Sequence, residues 1–283
     1  MRAHFLDARR YFQSIPTFEN RSVVETVLML SVQMNPALAV GYKSNSLIAR
    51  RITEAWASEA LYCSSCDSER VRPMPNNSQA IDFSCGNCSA AYQLKASKRW
   101  DERRVPDAGY EAMVRALRSD QVPNLLVMQY TETWSVRNLL LVPSFFFSIA
   151  AVEKRPPLSP NARRAGWVGC NILLSKIAHD GKIRLISEGS VVAPDSVRAD
   201  YERVRPLANL NVEARGWTLD VLRIVQRIGT KEFDLSTAYK GETELASIYP
   251  ANKNIRPKIR QQLQVLRDLG FIEFLGNGRY RLL

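Results

Sequence analysis

The apolar residues recur along the chain with two different periods, and these periods predict where helices and strands form. Residues 47–60 carry apolar side chains at helical spacing, which predicts an amphipathic helix, and a second helix is expected near 108–120. The short apolar runs at 125–128 and 139–142 are typical of buried strands, and a further strand is expected over 182–186. Helices and strands in this order predict an α/β core built on a mixed sheet.

Residues 215–283 show a different pattern, in which three helical segments precede two short strands. The predicted elements lie at 218–228, 235–247, 255–269, 271–275 and 279–282. Gly276-Asn277-Gly278 between the two strands indicates a hairpin. Three helices followed by a hairpin are the order of an α+β winged helix. A change of composition at Arg215-Gly216 predicts the domain boundary, which gives an N-terminal domain over 41–214 and leaves residues 1–40 as an extension of unknown role.

The net charge of the chain favours a polyanionic partner. The 39 basic residues outnumber the 28 acidic ones and give a charge of +11 at pH 7. The alternative is a basic surface that binds nothing. Neither a signal peptide nor a long uncharged apolar run is visible, so we expect a cytoplasmic protein that does not bind membranes.

The cysteines predict a metal site. Cys63-Ser-Ser-Cys66 and Cys85-Gly-Asn-Cys88 form two CxxC pairs, whose four thiolates suit tetrahedral zinc. All four coordination positions would be filled, so the zinc is expected to be structural; the alternative is four unrelated cysteines. The remaining cysteine, Cys170, is expected to be a small buried apolar residue.

The helix predicted over 255–269 has one apolar and one polar face. The apolar face consists of Ile255, Ile259, Leu263 and Leu266. The polar side carries Arg256, Arg260, Gln261, Gln264 and Arg267. Arginine and glutamine suit base edges and phosphates in a major groove, which favours DNA binding over the alternative of a solvated charged face.

Asp82 and the motif Gln93-Leu94-Lys95 are the candidate catalytic residues. They flank the second CxxC pair, so a bound metal would hold their two segments side by side. A carboxylate that ligates Mg²⁺ and a lysine that orients water are components of a phosphodiesterase site. On spacing alone, an aspartate at a strand end and a solvent-facing lysine would be the simpler interpretation.

Several further stretches follow one another along the chain in a recognisable order, and they are Tyr42-Lys43-Ser44-Asn45-Ser46, the CxxC pairs around Asp82-Phe83, Gln93-Leu94-Lys95-Ala96-Ser97, Asp107-Ala108-Gly109-Tyr110, Ala162-Arg163-Arg164-Ala165-Gly166-Trp167, Arg215-Gly216-Trp217-Thr218 and the segment 258–268. In this order they resemble the DpnI-type family of restriction enzymes, which cut adenine-methylated GATC, and the resemblance covers about 41–283.

The resemblance implies a PD-(D/E)xK nuclease core with an inserted zinc site, followed by a winged helix. In such an enzyme Asp82, Gln93 and Lys95 take the catalytic positions, and Asp82 and Gln93 hold the catalytic Mg²⁺. The expected partner is adenine-methylated double-stranded DNA, with no small-molecule cofactor.

Trp167 falls in the family's Arg-Arg-Ala-Gly-Trp motif, and we favour a role for it in contacting DNA. An indole is well shaped to contact a methyl group on a base edge, and Arg163 and Arg164 precede it. The alternative is a tryptophan in the protein core.

The chain departs from the family pattern at Gln93, where the family has glutamate. A glutamine offers an oxygen to a metal but no negative charge, so another carboxylate is needed. Glu54 on the preceding helix is the first candidate, followed by Asp107 and Glu111. This departure keeps open a protein that binds methylated DNA without cutting it. A transcription regulator with a zinc ribbon is a third possibility, but it does not explain Asp82 and Lys95.

Overall fold

The computed structural model describes residues 30–283 except 76, 77 and 79, and these residues form a mixed α/β region followed by a smaller α+β region. The helices are α1 (Asn45–Ala60), α2 (Tyr110–Arg118), α3 (Pro194–Val204), α4 (Val212–Arg227), α5 (Leu235–Tyr239), α6 (Glu242–Ile248) and α7 (Ile255–Asp268). The strands are β1 (Arg72–Pro73), β2 (Phe83–Ser84), β3 (Ala91–Ser97), β4 (Val105–Gly109), β5 (Asn124–Tyr130), β6 (Val136–Val142), β7 (Val152–Lys154), β8 (Gly169–Ile172), β9 (Ile183–Ser187), β10 (Ser190–Val191), β11 (Glu232–Asp234), β12 (Ile272–Gly276) and β13 (Arg279–Leu282). No helix in the described part of the chain is long and apolar enough to cross a membrane.

A seven-stranded mixed sheet forms the core of the first region. Its order is β1-β2-β3-β5-β6-β9-β10, in which β3 runs parallel to β5 and every other neighbouring pair is antiparallel. The predicted apolar runs are confirmed as β5 and β6, which are central strands and almost entirely buried. Both faces of a central strand are covered, which is why these runs are continuously apolar.

A second, three-stranded sheet was not predicted. Its order is β4-β8-β7, and all its pairs are antiparallel. The strands are short, and β4 contains a proline and an irregularity between Pro106 and Gly109. These features break the two-residue alternation by which a strand is recognised in a sequence. This small sheet places β4 close to β3, where the candidate catalytic residues lie.

The C-terminal region has the predicted winged-helix order. Gly276, Asn277 and Gly278 all have positive φ (85°, 51° and 71°), as expected for the turn between β12 and β13. The helix expected over 235–247 is divided into α5 and α6 at Gly241, where a Cβ would lie 2.7 Å from Ile224 Cγ2 on α4. The unpredicted strand β11 pairs with β13 and completes a three-stranded sheet.

Helix α4 begins before the predicted domain boundary. Its N-cap is Asn211, whose side chain accepts a hydrogen bond from the backbone N–H of Ala214. Arg215 and Gly216 therefore lie inside the helix. Arg215 is buried, and it donates to Leu210 O and pairs with the carboxylate of Asp120 at the end of α2.

Residues 30–40 pack against the core, although the sequence places them in the N-terminal extension. Leu30 and Met34 are buried, and Gln33 pairs with Ser135 as an isolated bridge. The Trp56 indole donates to Ser31 O at 2.7 Å. The rest of the extension, residues 1–29, lies outside the described residues.

Buried polar contacts join the two regions. Asp220 on α4 accepts a hydrogen bond from Ser148 Oγ at 3.1 Å and one from Tyr249 Oη at 2.7 Å. Burial raises the pKa of Asp220, and the hydrogen bond from Tyr249 partly offsets that effect. Glu244 on α6 pairs with Lys176 of the first region at 2.7 Å and with Arg223 at 2.9 Å. The contact between the regions is therefore polar as well as apolar.

We predict that Glu244→Gln destabilises the protein in a pH-dependent manner. Burial opposes ionisation of Glu244, but hydrogen bonds from Lys176 and Arg227 and the charge of Arg223 outweigh it and lower the pKa from 4.5 to about 2. The stabilisation is therefore present above pH 4.5 and is lost as the pH falls towards 2. Urea unfolding at pH 7 should show a loss of about 2–3 kcal/mol, since the variant removes the nearer of the two carboxylates that compensate the buried guanidinium of Arg223.

The matched control is Glu242→Gln on the same helix, which removes an ion pair between more exposed side chains. Its effect at pH 7 should stay below about 1 kcal/mol. An equal loss in both variants, or a Glu244→Gln effect that does not shrink between pH 7 and pH 3, would contradict the assignment.

Candidate functional site

The four cysteines of the two CxxC pairs converge on one point. Their sulfur atoms all lie within 4.8 Å of one another, and Cys63–Cys88 and Cys66–Cys85 are each separated by 3.6 Å. A tetrahedron with Zn–S bonds of ~2.3 Å has edges of ~3.8 Å, so this spacing fits zinc. The backbone N–H groups of Ser65 and Asn87 point at Cys63 Sγ and Cys85 Sγ, both at 3.4 Å, which stabilises thiolates.

Tyr92 connects the cysteine cluster to β3. Its hydroxyl lies 3.2 Å from Cys63 Sγ and accepts a hydrogen bond from Ser64 N at 3.1 Å. Burial raises the pKa of Tyr92, so the hydroxyl keeps its proton and can donate to a thiolate. Successive side chains of a strand point to opposite faces, so Gln93 and Lys95 lie on the face of β3 away from Tyr92.

Asp82 lies immediately before β2, beside the middle of β3. Its backbone N–H donates to Tyr92 O at 2.9 Å, and its carboxylate accepts a hydrogen bond from Leu94 N at 2.8 Å. The Asp82 carboxylate is therefore fixed beside the peptide that separates Gln93 from Lys95. The structure thus brings Asp82, Gln93 and Lys95 together on neighbouring stretches of backbone.

Lys95 forms an ion pair with Asp107 on β4. The distance from Lys95 Nζ to Asp107 Oδ1 is 2.6 Å, and the two side chains are 26% and 6% exposed. Asp107 was only a secondary candidate as a metal-ligating carboxylate, and its contact in the structure is with the lysine.

Glu54 shares a groove of about 240 Å³ with Asp82, but its carboxylate is already engaged. Arg50 Nε donates to Glu54 Oε1 at 2.7 Å, and the pKa of Arg50 is raised by this hydrogen bond and by the charges of Glu54 and Asp82. Glu111 is exposed in the first turn of α2.

The oxygen donors near Asp82 suit a hard cation. Among the described residues, the cysteine cluster is the only group of three or more His, Cys, Asp or Glu side chains whose ligating atoms lie within 4.8 Å of one another. The acidic residues therefore do not form a three-carboxylate site. The carboxylate of Asp82 and the amide oxygen of Gln93 are nevertheless hard ligands of the kind that Mg²⁺ accepts, with water in its other positions. The donor set therefore fits Mg²⁺ with few protein ligands.

Trp167 lies at the surface of the small sheet rather than in the core. It is half-buried, and a Cβ on Gly169 would lie 2.8 Å from its ring atom Cζ3, so only glycine fits beneath it. A Cβ on Gly109 would lie 3.5 Å from the indole nitrogen. The guanidinium of Arg164 lies 4.7 Å from the ring centroid, and Arg163 is exposed.

Helix α7 has the two faces expected from its sequence. The apolar face is buried as predicted, and it comprises Ile255, Ile259, Leu263 and Leu266. The predicted DNA-contacting side chains are all exposed, and they are Arg256, Arg260, Gln261, Gln264 and Arg267. The guanidinium groups of Arg256 and Arg260 lie 5.3 and 5.7 Å from the ring of Tyr239 on α5. Gln262, by contrast, is buried and hydrogen-bonds Thr218 at 2.7 Å.

Other residues that support the site were missed in the sequence. Arg198 donates to the backbone carbonyls of Cys63 and Ser68, and Arg205 donates to that of Ser65. No local pattern marks these arginines, which lie far from the cysteines in the chain. Tyr92 was detectable in principle, because its alternation with Gln93 and Lys95 places it on the opposite face of the strand.

Two family models match the chain, in the same order as the two regions of the fold. The DpnI model, described as the Dam-replacing family, matches residues 30–210. The DpnI_C model, described as the Dam-replacing HTH domain, matches residues 213–282. The chain therefore belongs to the Dam-replacing family, whose DpnI type comprises methylation-dependent restriction enzymes, and it carries the family's helix-turn-helix domain.

Proposed function

We propose that the protein hydrolyses phosphodiester bonds in adenine-methylated double-stranded DNA, with methylated GATC as its recognition sequence. The observation that carries the proposal is the Asp82 carboxylate held on Leu94 N, between Gln93 and Lys95. An acid and a lysine arranged in this way on two adjoining strands are the core of a PD-(D/E)xK nuclease. We assign catalysis to residues 41–214 and a second DNA contact to the winged helix, residues 215–283.

The three residues have different tasks in this mechanism. Asp82 and Gln93 would hold Mg²⁺. When bound, this cation would stabilise the charge that develops on the phosphate. Lys95 uses its N–H groups to orient a water molecule for in-line attack on phosphorus. The water oxygen bonds to phosphorus while the bond from phosphorus to the leaving sugar oxygen breaks, and the proton that the water loses to solvent is replaced by one that the leaving oxygen takes from solvent.

DNA recognition is assigned to two surfaces. On the small sheet, the indole of Trp167 offers a flat apolar surface for the adenine methyl group, and Arg163 and Arg164 provide positive charge for phosphates. On the winged helix, the exposed side chains of α7 suit the major groove.

Zinc has a structural role in this proposal. The four cysteines fill a tetrahedral shell, which leaves no position for a substrate. Through Tyr92, the metal would instead hold the strand that carries Gln93 and Lys95.

A second candidate function is a reader that binds methylated DNA without cutting it. The observation that favours it is Gln93, which brings no charge to the metal site, together with the engagement of Glu54 by Arg50. The zinc site and the winged helix fit this function equally well.

The first test separates cutting from binding. The purified protein should cut an adenine-methylated plasmid in the presence of Mg²⁺ and leave the unmethylated plasmid intact.

Lys95→Ala should lower the rate at least ~10²-fold while the affinity for methylated DNA in a gel shift stays unchanged, because the lysine acts on the water. Lys98→Ala, which removes an exposed lysine one residue beyond β3, is the control. Cleavage by Lys95→Ala at the wild-type rate would reject the mechanism.

Gln93→Glu distinguishes the enzyme from the reader. The change adds a carboxylate to the proposed metal site, so the Mg²⁺ concentration that supports half-maximal cutting should fall severalfold if the parent is an enzyme. If the parent is silent in the plasmid assay and the variant cuts, the parent is a degenerate enzyme that acts as a reader. A parent that cuts and a variant with the same Mg²⁺ requirement would argue against Gln93 as a ligand.

Removal of one cysteine tests the zinc site. The wild-type protein should contain one zinc ion for its one cysteine cluster by elemental mass spectrometry. Cys63→Ser should lose the metal and melt ~10 °C or more below the wild type, since structural zinc contributes several kcal/mol. Cys170→Ser should keep its zinc, because Cys170 lies outside the cluster. Full zinc occupancy in Cys63→Ser would show that the cluster is not the site.

A further inference from the structure

The ion pair between Lys95 and Asp107 joins the two sheets of the first region. Lys95 lies on β3 of the seven-stranded sheet, and Asp107 lies on β4 of the three-stranded sheet. The Asp107 side chain is only 6% exposed, and a buried carboxylate requires a compensating charge. Within the described part of the chain, Lys95 is the one cation within 4.0 Å of Asp107.

Asp107 lies in the irregular stretch of β4. Pairing with β8 is regular at Val105 and Pro106 and resumes at Gly109, which faces Gly169. The stretch of β4 that contains Asp107 is one residue longer than the stretch of β8 opposite it, which is the geometry of a bulge. Bulges next to active sites commonly redirect a side chain.

The geometry of the ion pair leaves the ammonium free to act. Asp107 Oδ1 lies 2.6 Å from Lys95 Nζ, close enough to restrain the position of the ammonium. An ammonium has three N–H bonds, so contact with one carboxylate oxygen leaves two of them available to other acceptors. A lysine held in this way is suited to orienting a water molecule.

Asp107 also changes the charge balance of the site. Because Gln93 is neutral, Asp82 would be the only charged ligand that the motif offers to a divalent cation beside Lys95. With Asp107 included, two carboxylates and one phosphate balance a divalent cation and one ammonium. Without Asp107, the repulsion between the bound cation and Lys95 would no longer be offset by the attraction between Asp107 and the ammonium.

The strand that carries Asp107 also supports Trp167. Gly109 lies two residues beyond Asp107 and packs under the indole nitrogen. Placement of Lys95 and contact with DNA at Trp167 therefore depend on the same strand.

We propose that Asp107 is a positioning residue for Lys95, and that it supplies the negative charge that Gln93 lacks. This proposal rests on the proposed nuclease function, because it concerns the lysine that orients the attacking water. It assigns Asp107 no direct contact with metal or DNA.

Single-turnover cleavage of an adenine-methylated duplex, with the protein in excess, tests this role. Asp107→Asn should cut about 10²-fold more slowly, while its affinity for the same duplex in Mg²⁺-free buffer stays within about twofold of the wild type. Asp107→Glu, which keeps the charge but moves it by one methylene, should cut at an intermediate rate. Glu132→Gln, which removes the carboxylate from the exposed ion pair with Lys98, is the matched control and should cut like the wild type.

A double variant distinguishes positioning from a purely structural role. Gln93→Glu restores a negative charge near Lys95, so at saturating Mg²⁺ it should raise the cutting rate of Asp107→Asn about tenfold while it leaves the rate of the parent unchanged. A merely structural defect would not be repaired by that change, and an effect on metal binding alone would not appear at saturating Mg²⁺. If Asp107→Asn does not fold, as judged by its melting temperature, Asp107→Glu takes its place and should cut at least ~5-fold more slowly than the wild type with unchanged binding.

The outcomes separate this proposal from the function on which it rests. A wild-type protein that does not cut methylated DNA overturns the proposed function. A wild type that cuts, with an Asp107→Asn variant that cuts equally well, overturns the role of Asp107 alone. Loss of binding in parallel with loss of cutting, or no recovery in the double variant, also overturns it.

Discussion

The position of strand β3 is the constraint on which the candidate site depends. Tyr92 holds one face of the strand against the cysteine cluster, and Asp82 holds its edge through the backbone N–H of Leu94. Gln93 and Lys95 face the other side only in this register, because a slip of one residue would exchange the two faces. The cysteine cluster therefore also fixes the position of β3, the strand on which the proposed catalytic residues Gln93 and Lys95 lie.

The small sheet is the second part of the arrangement. Its strand β4 carries Asp107 towards Lys95, and its glycines at 109 and 169 make room for the indole of Trp167. A side chain at Gly169 would collide with the ring, so the surface proposed to contact DNA depends on backbone that can approach an aromatic group closely. Cutting and recognition are thereby proposed to share one short strand.

The winged helix is attached to the first region through polar contacts, in which Ser148, Asp220 and Arg215 are buried. Asp220 meets Ser148, and Glu244 meets Lys176, while Arg215 pairs with Asp120. Buried polar contacts of this kind are costly to leave unpaired, so they favour one relative arrangement of the two regions. The exposed side chains of α7 are consequently presented at a defined position relative to the first region.

The sequence by itself determined the elements whose signals are local. The apolar runs of β5 and β6, the two faces of α7, the glycine turn of the wing and the two CxxC pairs were all evident, because each depends on residues near one another in the chain. Tertiary structure alone decided the sheet of β4, β7 and β8, the division of α5 from α6 and the pairing of Lys95 with Asp107. These features depend on a bulge, on a close approach to Ile224 and on contacts between distant strands. A one-dimensional pattern carries no trace of such contacts, because their free energy comes from burial and charge compensation that exist only once the chain has folded.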